Sequence, residues 1–268
     1  MNNQIISHIR KRKHKKQENQ VIYETFIYNC LNRPFTRFKP DYNSIIPLDI
    51  YQTWFTKDLP DKMGERVELL KRCNPRFKHY LFDDNDCLEF IKQNFDNSVV
   101  NAYERLIPGA YKADLWRLCI LYKKGGYYLD IKLACINGFR LIELSENEHY
   151  VKDRYGKTIF NSFMVGIKGS DFLLNGINQI VKNVQNNFYG DCPLHPTGPR
   201  MLGDLILRNN FNVNVDLLHY KGGGFIIYKK RFVISTEYPD YNDERTSTYV
   251  KHNTKRYDKL WSDHNIYH

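Results

Sequence analysis

Four residues in the middle of the chain have types and spacings that could do chemistry. Asp114 and Arg117 stand three apart in "YKADLWRLCILYKKGGYYLD", and Asp130-Ile131-Lys132 closes the same stretch. An acid and a guanidinium at i, i+3 are either an ordinary helix-surface ion pair, worth about 0.2–0.5 kcal/mol, or, in a cleft, a charged pair for a polar ligand. Asp130 carries the carboxylate oxygens that hard divalent cations prefer, whereas Lys132 cannot be a ligand and would repel an ion beside it.

These residues need a helix and a strand to position them. Leu115, Leu118, Cys119 and Tyr122 fall at i, i+3, i+4 and i+7 and predict the buried stripe of a helix, with Asp114 and Arg117 together on another face. Gly125-Gly126 stops that helix, because glycine readily takes the left-handed conformation of a helix end. A strand from Tyr127 then alternates, so Tyr128, Asp130 and Lys132 are predicted on one side and Tyr127, Leu129, Ile131 and Leu133 on the other.

The flanking pattern alternates in the same way. A short helix is expected over 21–31, a Pro-punctuated loop over 32–44, a first buried strand in "IPLDIYQTWF" (46–55), a polar helix over about 62–72 and a strand from Lys78 to Phe82. An acidic turn "DDND" (83–86) and a helix from Cys87 to Gln93 follow. Later come a strand at 158–167, helices at 171–184 and 195–209, and short β-like runs in "FIIYKKRFVIS" (225–235). Strands alternating with helices imply an α/β fold with a mostly parallel sheet, whose ligands sit at the carboxyl ends of strands.

The chain has 268 residues, enough to bury a sizeable core; 42% are hydrophobic and 15% aromatic, which suits an aromatic-lined core or cleft. Of the formal net charge of +10, six charges come from Arg10, Lys11, Arg12, Lys13, Lys15 and Lys16. Residues 1–20 therefore read as a basic, self-repelling tail, with contact to a polyanion as the functional alternative, and 21–268 as one domain. No apolar run is long enough to span a bilayer and the polar start has no signal-like core, so a soluble, cytoplasmic protein is expected. The six cysteines, with no Cys-x-x-Cys pair, read as reduced and mostly buried.

The central stretch closely resembles glycosyltransferase family 32, which includes the yeast initiating α-1,6-mannosyltransferase and is related to the glucosyltransferase domains of large clostridial toxins. The family's Ala-Asp, Arg, Gly-Gly, aromatic and Asp-x-Asp pattern is met by Ala113-Asp114, Arg117, Gly125-Gly126, Tyr128 and Asp130, with Lys132 in the final position. "IPLDIYQTW", "NPRFKHYLFDD", "FNSFMVG", "TGPRML" and the C-terminal His and Trp region are similar to family segments in the same order, so the resemblance covers roughly 46–267. It implies a GT-A fold, Rossmann-like, and a retaining transfer of a hexose-type sugar from a nucleotide-sugar donor to a glycan or glycoprotein. UDP is favoured over GDP by analogy with the toxins, and the absence of an anchor suits a bacterial-type or viral enzyme.

Carried over to this chain, the resemblance implies that Trp54 stacks on the base and that Asp114 and Arg117 contact the donor sugar. Asp130 would face the ribose, diphosphate or metal, Asn161 the sugar, and His252 the metal or diphosphate. Each has a plainer reading: Trp54 as core, Tyr128 as packing, His252 as a solvated surface histidine and His195 as part of a loop. Lys132 departs from the motif that holds Mn²⁺ or Mg²⁺. Either it supplies the positive charge for the diphosphate and the enzyme is largely metal-independent, or Asp130 binds metal with help from Asp263, His252 or His264, or the site is a catalytically silent sugar-nucleotide-binding module.

Overall fold

The computed structural model describes residues 28–36, 38–153, 157–209, 211, 213–220 and 224–268. The basic run in 1–20 and most of the helix expected over 21–31 lie outside the described residues.

The amino-terminal half is built as the alternation predicts. β1 (Asp49–Thr53), α1 (Asp61–Cys73), β2 (Lys78–Phe82), α2 (Asp84–Asn94), α3 (Asn97–Arg105), α4 (Gly109–Lys124) and β3 (Gly126–Leu129) follow in order. β1 pairs in parallel with both β2 and β3. Their connections contain helices, and a parallel return requires such a crossover.

Beyond β3 the sheet changes character. β4 (Ala134–Cys135), β5 (His149–Lys152), β6 (Ile159–Gly166), α5 (Asp171–Gln185), α6 (Pro199–Asn209), β7 (Leu217–Tyr220), β8 (Phe225–Tyr228) and β9 (Arg231–Ser235) complete a nine-stranded sheet of order β2-β1-β3-β6-β5-β7-β8-β9-β4. Here β5–β7 is parallel, while β3–β6, β5–β6, β7–β8, β8–β9 and β4–β9 are antiparallel. The expected α/β fold is present, but its sheet is mixed rather than mostly parallel. The cause is local: β5 to β6 and β8 to β9 are joined by connections too short for a crossover, and such hairpins are antiparallel. At the β8–β9 turn Lys229 and Lys230 both have positive φ, 46° and 60°.

Apolar clusters cover both sheet faces. Tyr51, Tyr128, Tyr150 and Met164 meet α2 to α6 on one face, whereas Tyr127, Leu129, Phe163 and Val165 pack with Ile46, Leu70 and Phe139 on the other. Tyr128 thus opposes Tyr127 and Leu129, as period two requires. α4 is buried well beyond its apolar stripe, with every residue from Asp114 to Leu121 inside. It can end only on glycine. Gly125 (φ 70°) caps it, and a Cβ on Gly126 (φ 109°) would lie 2.8 Å from the Asp49 carbonyl oxygen of β1.

Two carboxy-terminal helices, α7 (Tyr241–Lys251) and α8 (Tyr257–Ser262), complete the chain. All six cysteines are free, with Cys87, Cys119 and Cys135 buried. Among the described residues no helix is long and apolar enough to cross a membrane.

Candidate active site at the end of β3

Asp114 lies in the interior, 8% exposed, and Arg117 is 4% exposed, so the surface ion pair is excluded. A buried carboxylate is costly unless its oxygens are satisfied, and here they are. Oδ1 accepts from Asn161 Nδ2 at 2.8 Å and lies 3.2 Å from Arg117 Nη2, while Oδ2 accepts from Thr197 Oγ1 at 2.8 Å. Burial still pushes the Asp114 carboxyl above the usual range, with Arg117, Thr197 and Asn161 pulling the other way. The loop before α6 is pressed against it: a Cβ on Gly198 would sit 3.0 Å from Oδ2.

Arg117 ties this group to the strand end. Its Nε donates to the Ala113 carbonyl at 3.0 Å, its Nη1 to the Asn161 carbonyl at 2.7 Å, and its Nη2 lies 3.5 Å from Asp130 Oδ1. Its guanidinium carbon is 4.4 Å from the centroid of the Tyr128 ring. Burial opposes its charge, but Tyr128, Asp114 and Asp130 outweigh that effect. Tyr128 does more than pack, because its hydroxyl donates to Asp130 Oδ1 at 2.9 Å.

The strand ends at Leu129, one residue before Asp130. Asp130 N–H donates to the Ser162 carbonyl, and Leu133 N–H donates back to the Asp130 carbonyl, so residues 130–133 form a turn. The alternation expected to place Asp130 and Lys132 on one strand face therefore stops short. Arg66 of α1 donates from Nε to the Lys132 carbonyl at 3.0 Å and pins the turn. Lys132 Nζ reaches across to the Tyr241 ring, 5.0 Å from its centroid.

Two adjoining cavities open here. The inner one has Trp54, Phe55, Asp84 and Tyr103 at its aromatic end. The wider one holds Asp114, Asn161, Lys132, Arg245 and Arg256. Arg117, Asp130, Tyr241 and Tyr249 line both. Trp54, Asp114, Arg117, Tyr128, Asp130, Lys132 and Asn161 are thus brought together around one cleft.

His252 is not. It lies outside both walls, exposed, stacked on Phe55 with centroids 5.0 Å apart. Asp263 is held by Lys255 and Lys259, and His264 packs on Tyr189. His195 pairs with Asp204 at 3.3 Å beside a separate cavity.

Thr197, Tyr241, Arg245 and Tyr249 were missed by sequence reasoning. The last three fall at i, i+4 and i+8 on α7, a helical stripe of aromatic and basic residues that could have been found. Arg245 has its guanidinium carbon 5.1 Å from the Tyr241 centroid, on the ring that Lys132 also approaches, and its buried Nε has no hydrogen-bond partner among the described residues.

At the end of β3, among the described residues, Asp130 is the one carboxylate that could contribute to a divalent cation, through Oδ2. Asp130 Oδ1 is occupied by Tyr128 and faces Arg117. Among the described residues no group of three or more His, Cys, Asp or Glu side chains is placed to hold a metal.

Residues 60–150 match the family described as a glycosyltransferase sugar-binding region containing a DXD motif. Inositol phosphoceramide mannosyltransferase 3 of Schizosaccharomyces pombe is 30% identical over 161 residues, covering 60% of this chain and 44% of that protein. An uncharacterized glycosyltransferase, L373, of Acanthamoeba polyphaga mimivirus is 25% identical over 173 residues, covering 64% and 60%. The initiation-specific α-1,6-mannosyltransferase of Candida albicans is 32% identical over 101 residues, covering 35% and 26%. The chain spans less than two thirds of the length of each of these relatives. Among solved structures, PaToxG glycosyltransferase aligns with a TM-score of 0.49 at 15% identity, over 75% of this chain and 80% of that one. The UDP-bound glycosyltransferase domain of the YGT toxin aligns with a TM-score of 0.39 at 10% identity, over 80% and 69%.

The match over residues 60–150 and the identities of these relatives uphold the resemblance to glycosyltransferase family 32. The segment that carries Asp114, Arg117 and Asp130 lies inside the sugar-binding region.

Proposed function

We propose that the chain is a retaining glycosyltransferase that moves a hexose-type sugar from a nucleoside diphosphate donor to a glycan or glycoprotein acceptor. The observation that carries this reading is the placement of Lys132 and Arg245 on either approach to Tyr241, in the cleft between the aromatic end at Trp54 and the buried pair at Asp114 and Arg117. The mannosyltransferase names of the relatives favour a hexose.

Each part of the cleft has a task in this reading. Trp54 offers its ring to the base. Asp114, Asn161 and Arg117 form one rigid polar wall that discriminates the donor's hydroxyls, since such sites reject analogues that leave their groups unpaired. Asp130, with Oδ1 held by Tyr128, directs Oδ2 toward the ribose or diphosphate. As the bond between sugar and phosphate breaks, negative charge grows on the leaving diphosphate, and Lys132 and Arg245 neutralise it. DXD-type enzymes often use a divalent cation; here the two side-chain cations take that part, so Mn²⁺ or Mg²⁺ is not required. His252 flanks the aromatic end through Phe55.

Incubation with a panel of GDP- and UDP-hexoses, with release of free sugar followed by NMR, tests the reading. Hydrolysis giving first the anomer of the donor supports it, and inverted sugar removes retention. Lys132 also favours a second reading, the silent sugar-nucleotide-binding module, which binding without turnover of any donor would establish.

A further inference from the structure

The acidic run after β2 contains one residue that neither caps α2 nor pairs with a cation, although it sits in the helix's first turn, where a carboxylate is favoured. Asp83 caps α2 by accepting from Asp86 N–H at 2.9 Å, and Asp86 returns the bond to Asp83 N–H at 3.1 Å and pairs with Lys57 at 2.7 Å. Asp84, the first residue of α2, makes no side-chain hydrogen bond or ion pair among the described residues, although it lines the inner cavity. Burial pushes that carboxyl above the usual range; Lys112 and His252 oppose the shift and Asp83 adds to it.

The other groups at this end of the cavity are apolar or committed. Trp54 and Phe55 pack edge to face with centroids 5.4 Å apart. The Tyr103 hydroxyl donates to the Asp84 carbonyl at 3.3 Å, and Cys87 Sγ lies 3.3 Å from Thr53 Oγ1. A partly desolvated carboxylate is costly without a partner. The free acceptor at the aromatic end of the cleft is the Asp84 carboxylate, and it calls for N–H donors from a ligand.

We propose that Asp84 reads the base of the donor and selects guanine. The inference rests on the reading of the cleft as a nucleoside diphosphate-sugar site and deepens it. Guanine presents two adjacent N–H donors, N1–H and the 2-amino group, spaced to match the two oxygens of one carboxylate. Uracil presents one N–H flanked by two carbonyl oxygens, which a carboxylate repels. Adenine and cytosine each set a lone-pair nitrogen beside their amino group, with the same penalty. Charge-assisted, two-point hydrogen bonding is strong and geometrically specific. A carboxylate left facing carbonyl oxygens keeps its desolvation cost and gains nothing. This reverses the preference for UDP drawn from the toxin analogy.

Isothermal titration of the full chain with GDP, IDP and UDP tests the proposal without any variant. IDP lacks only the 2-amino group of guanine. GDP is expected to bind tightest, IDP about ten-fold or more weakly, and UDP more weakly still, since a site built around a hydrogen bond rejects the ligand that lacks it. In Asp84→Asn, whose folding is checked by its melting curve, GDP should lose about ten-fold or more while UDP does not weaken. Equal binding of GDP and IDP, UDP binding as tightly as GDP, or an equal loss of GDP and UDP in Asp84→Asn would each overturn it. The first three results leave the donor site standing; no binding of any nucleoside diphosphate removes the donor reading along with the inference.

Discussion

The Tyr128 hydroxyl donates to Asp130 Oδ1 at 2.9 Å, so the carboxylate at the end of β3 is oriented by a side chain of its own strand. Tyr128→Phe keeps the ring under Arg117 and removes only this bond. Stability should fall by about 1 kcal/mol, the ordinary net worth of a hydrogen bond. Donor turnover should drop further than donor affinity, because the Asp130 carboxyl remains in place but is no longer aimed. Steady-state kinetics on the variant, separating kcat from KM, checks it.

Asp114 and Arg117 form a buried pair, and Asp130, 3.5 Å from Arg117, is the guanidinium's other carboxylate neighbour. Asp114→Ala leaves the Arg117 charge short of a counter-ion and frees Thr197 and Asn161, so the fold should lose about 3–5 kcal/mol. Asp114→Asn, which keeps the shape, should cost less and still abolish turnover. Urea melts of both variants supply the comparison.

Gly126 is fixed by backbone geometry. At φ 109° and with the Asp49 carbonyl 2.8 Å from any Cβ, Gly126→Ala must strain β3 or push it off β1. A loss of about 2–4 kcal/mol is expected from strain and displaced packing together. Thermal denaturation measures it directly.

Asp84 is expected to weaken the free protein. Its folded-state pKa is raised, first by burial, so its stabilising contribution is complete below the unfolded value near 3.8 and is lost as pH rises through the folded value. Asp84→Asn should therefore raise the melting temperature at pH 7 by on the order of 2 °C and lose that advantage at pH 4. An unchanged melting temperature at both values would show that the carboxylate carries no desolvation cost.

Much of the amino-terminal half was legible because its elements are local. β2 has the bounds the sequence suggested, and Leu115, Leu118 and Cys119 are buried as their spacing requires. The run 83–86 was read as a turn because acids and asparagine favour turns, but it is the cap and first turn of α2, since Asp83 and Asp86 form a capping box. Residues 195–198 look like a helix start; instead they bend ahead of α6, which begins at Pro199, and bring Thr197 onto Asp114. The expected alternation through Lys132 failed because Asp130 opens a turn held by Arg66, a contact from α1 that no local pattern encodes. The mixed sheet escaped for another reason: the short connections from β5 to β6 and from β8 to β9, which make those pairs antiparallel, were not weighed against the alternation of helices and strands.

Lys132→Asp would complete the two-carboxylate motif and place oxygen ligands where the ammonium stood. Its residual turnover should become dependent on Mn²⁺, whereas Lys132→Ala should lose about ten-fold or more with no rescue by metal, as expected when one charge-stabilising group is removed.

The central question for this site is whether Lys132 supplies the charge that a metal supplies elsewhere. The most direct measurement is hydrolysis of the best nucleoside diphosphate-hexose by the unmodified chain with and without EDTA, alongside Lys132→Ala. Turnover that is unchanged by EDTA and collapses in Lys132→Ala is the result this account predicts. Turnover abolished by EDTA and restored by Mn²⁺, with Lys132→Ala as active as the unmodified chain, would contradict it.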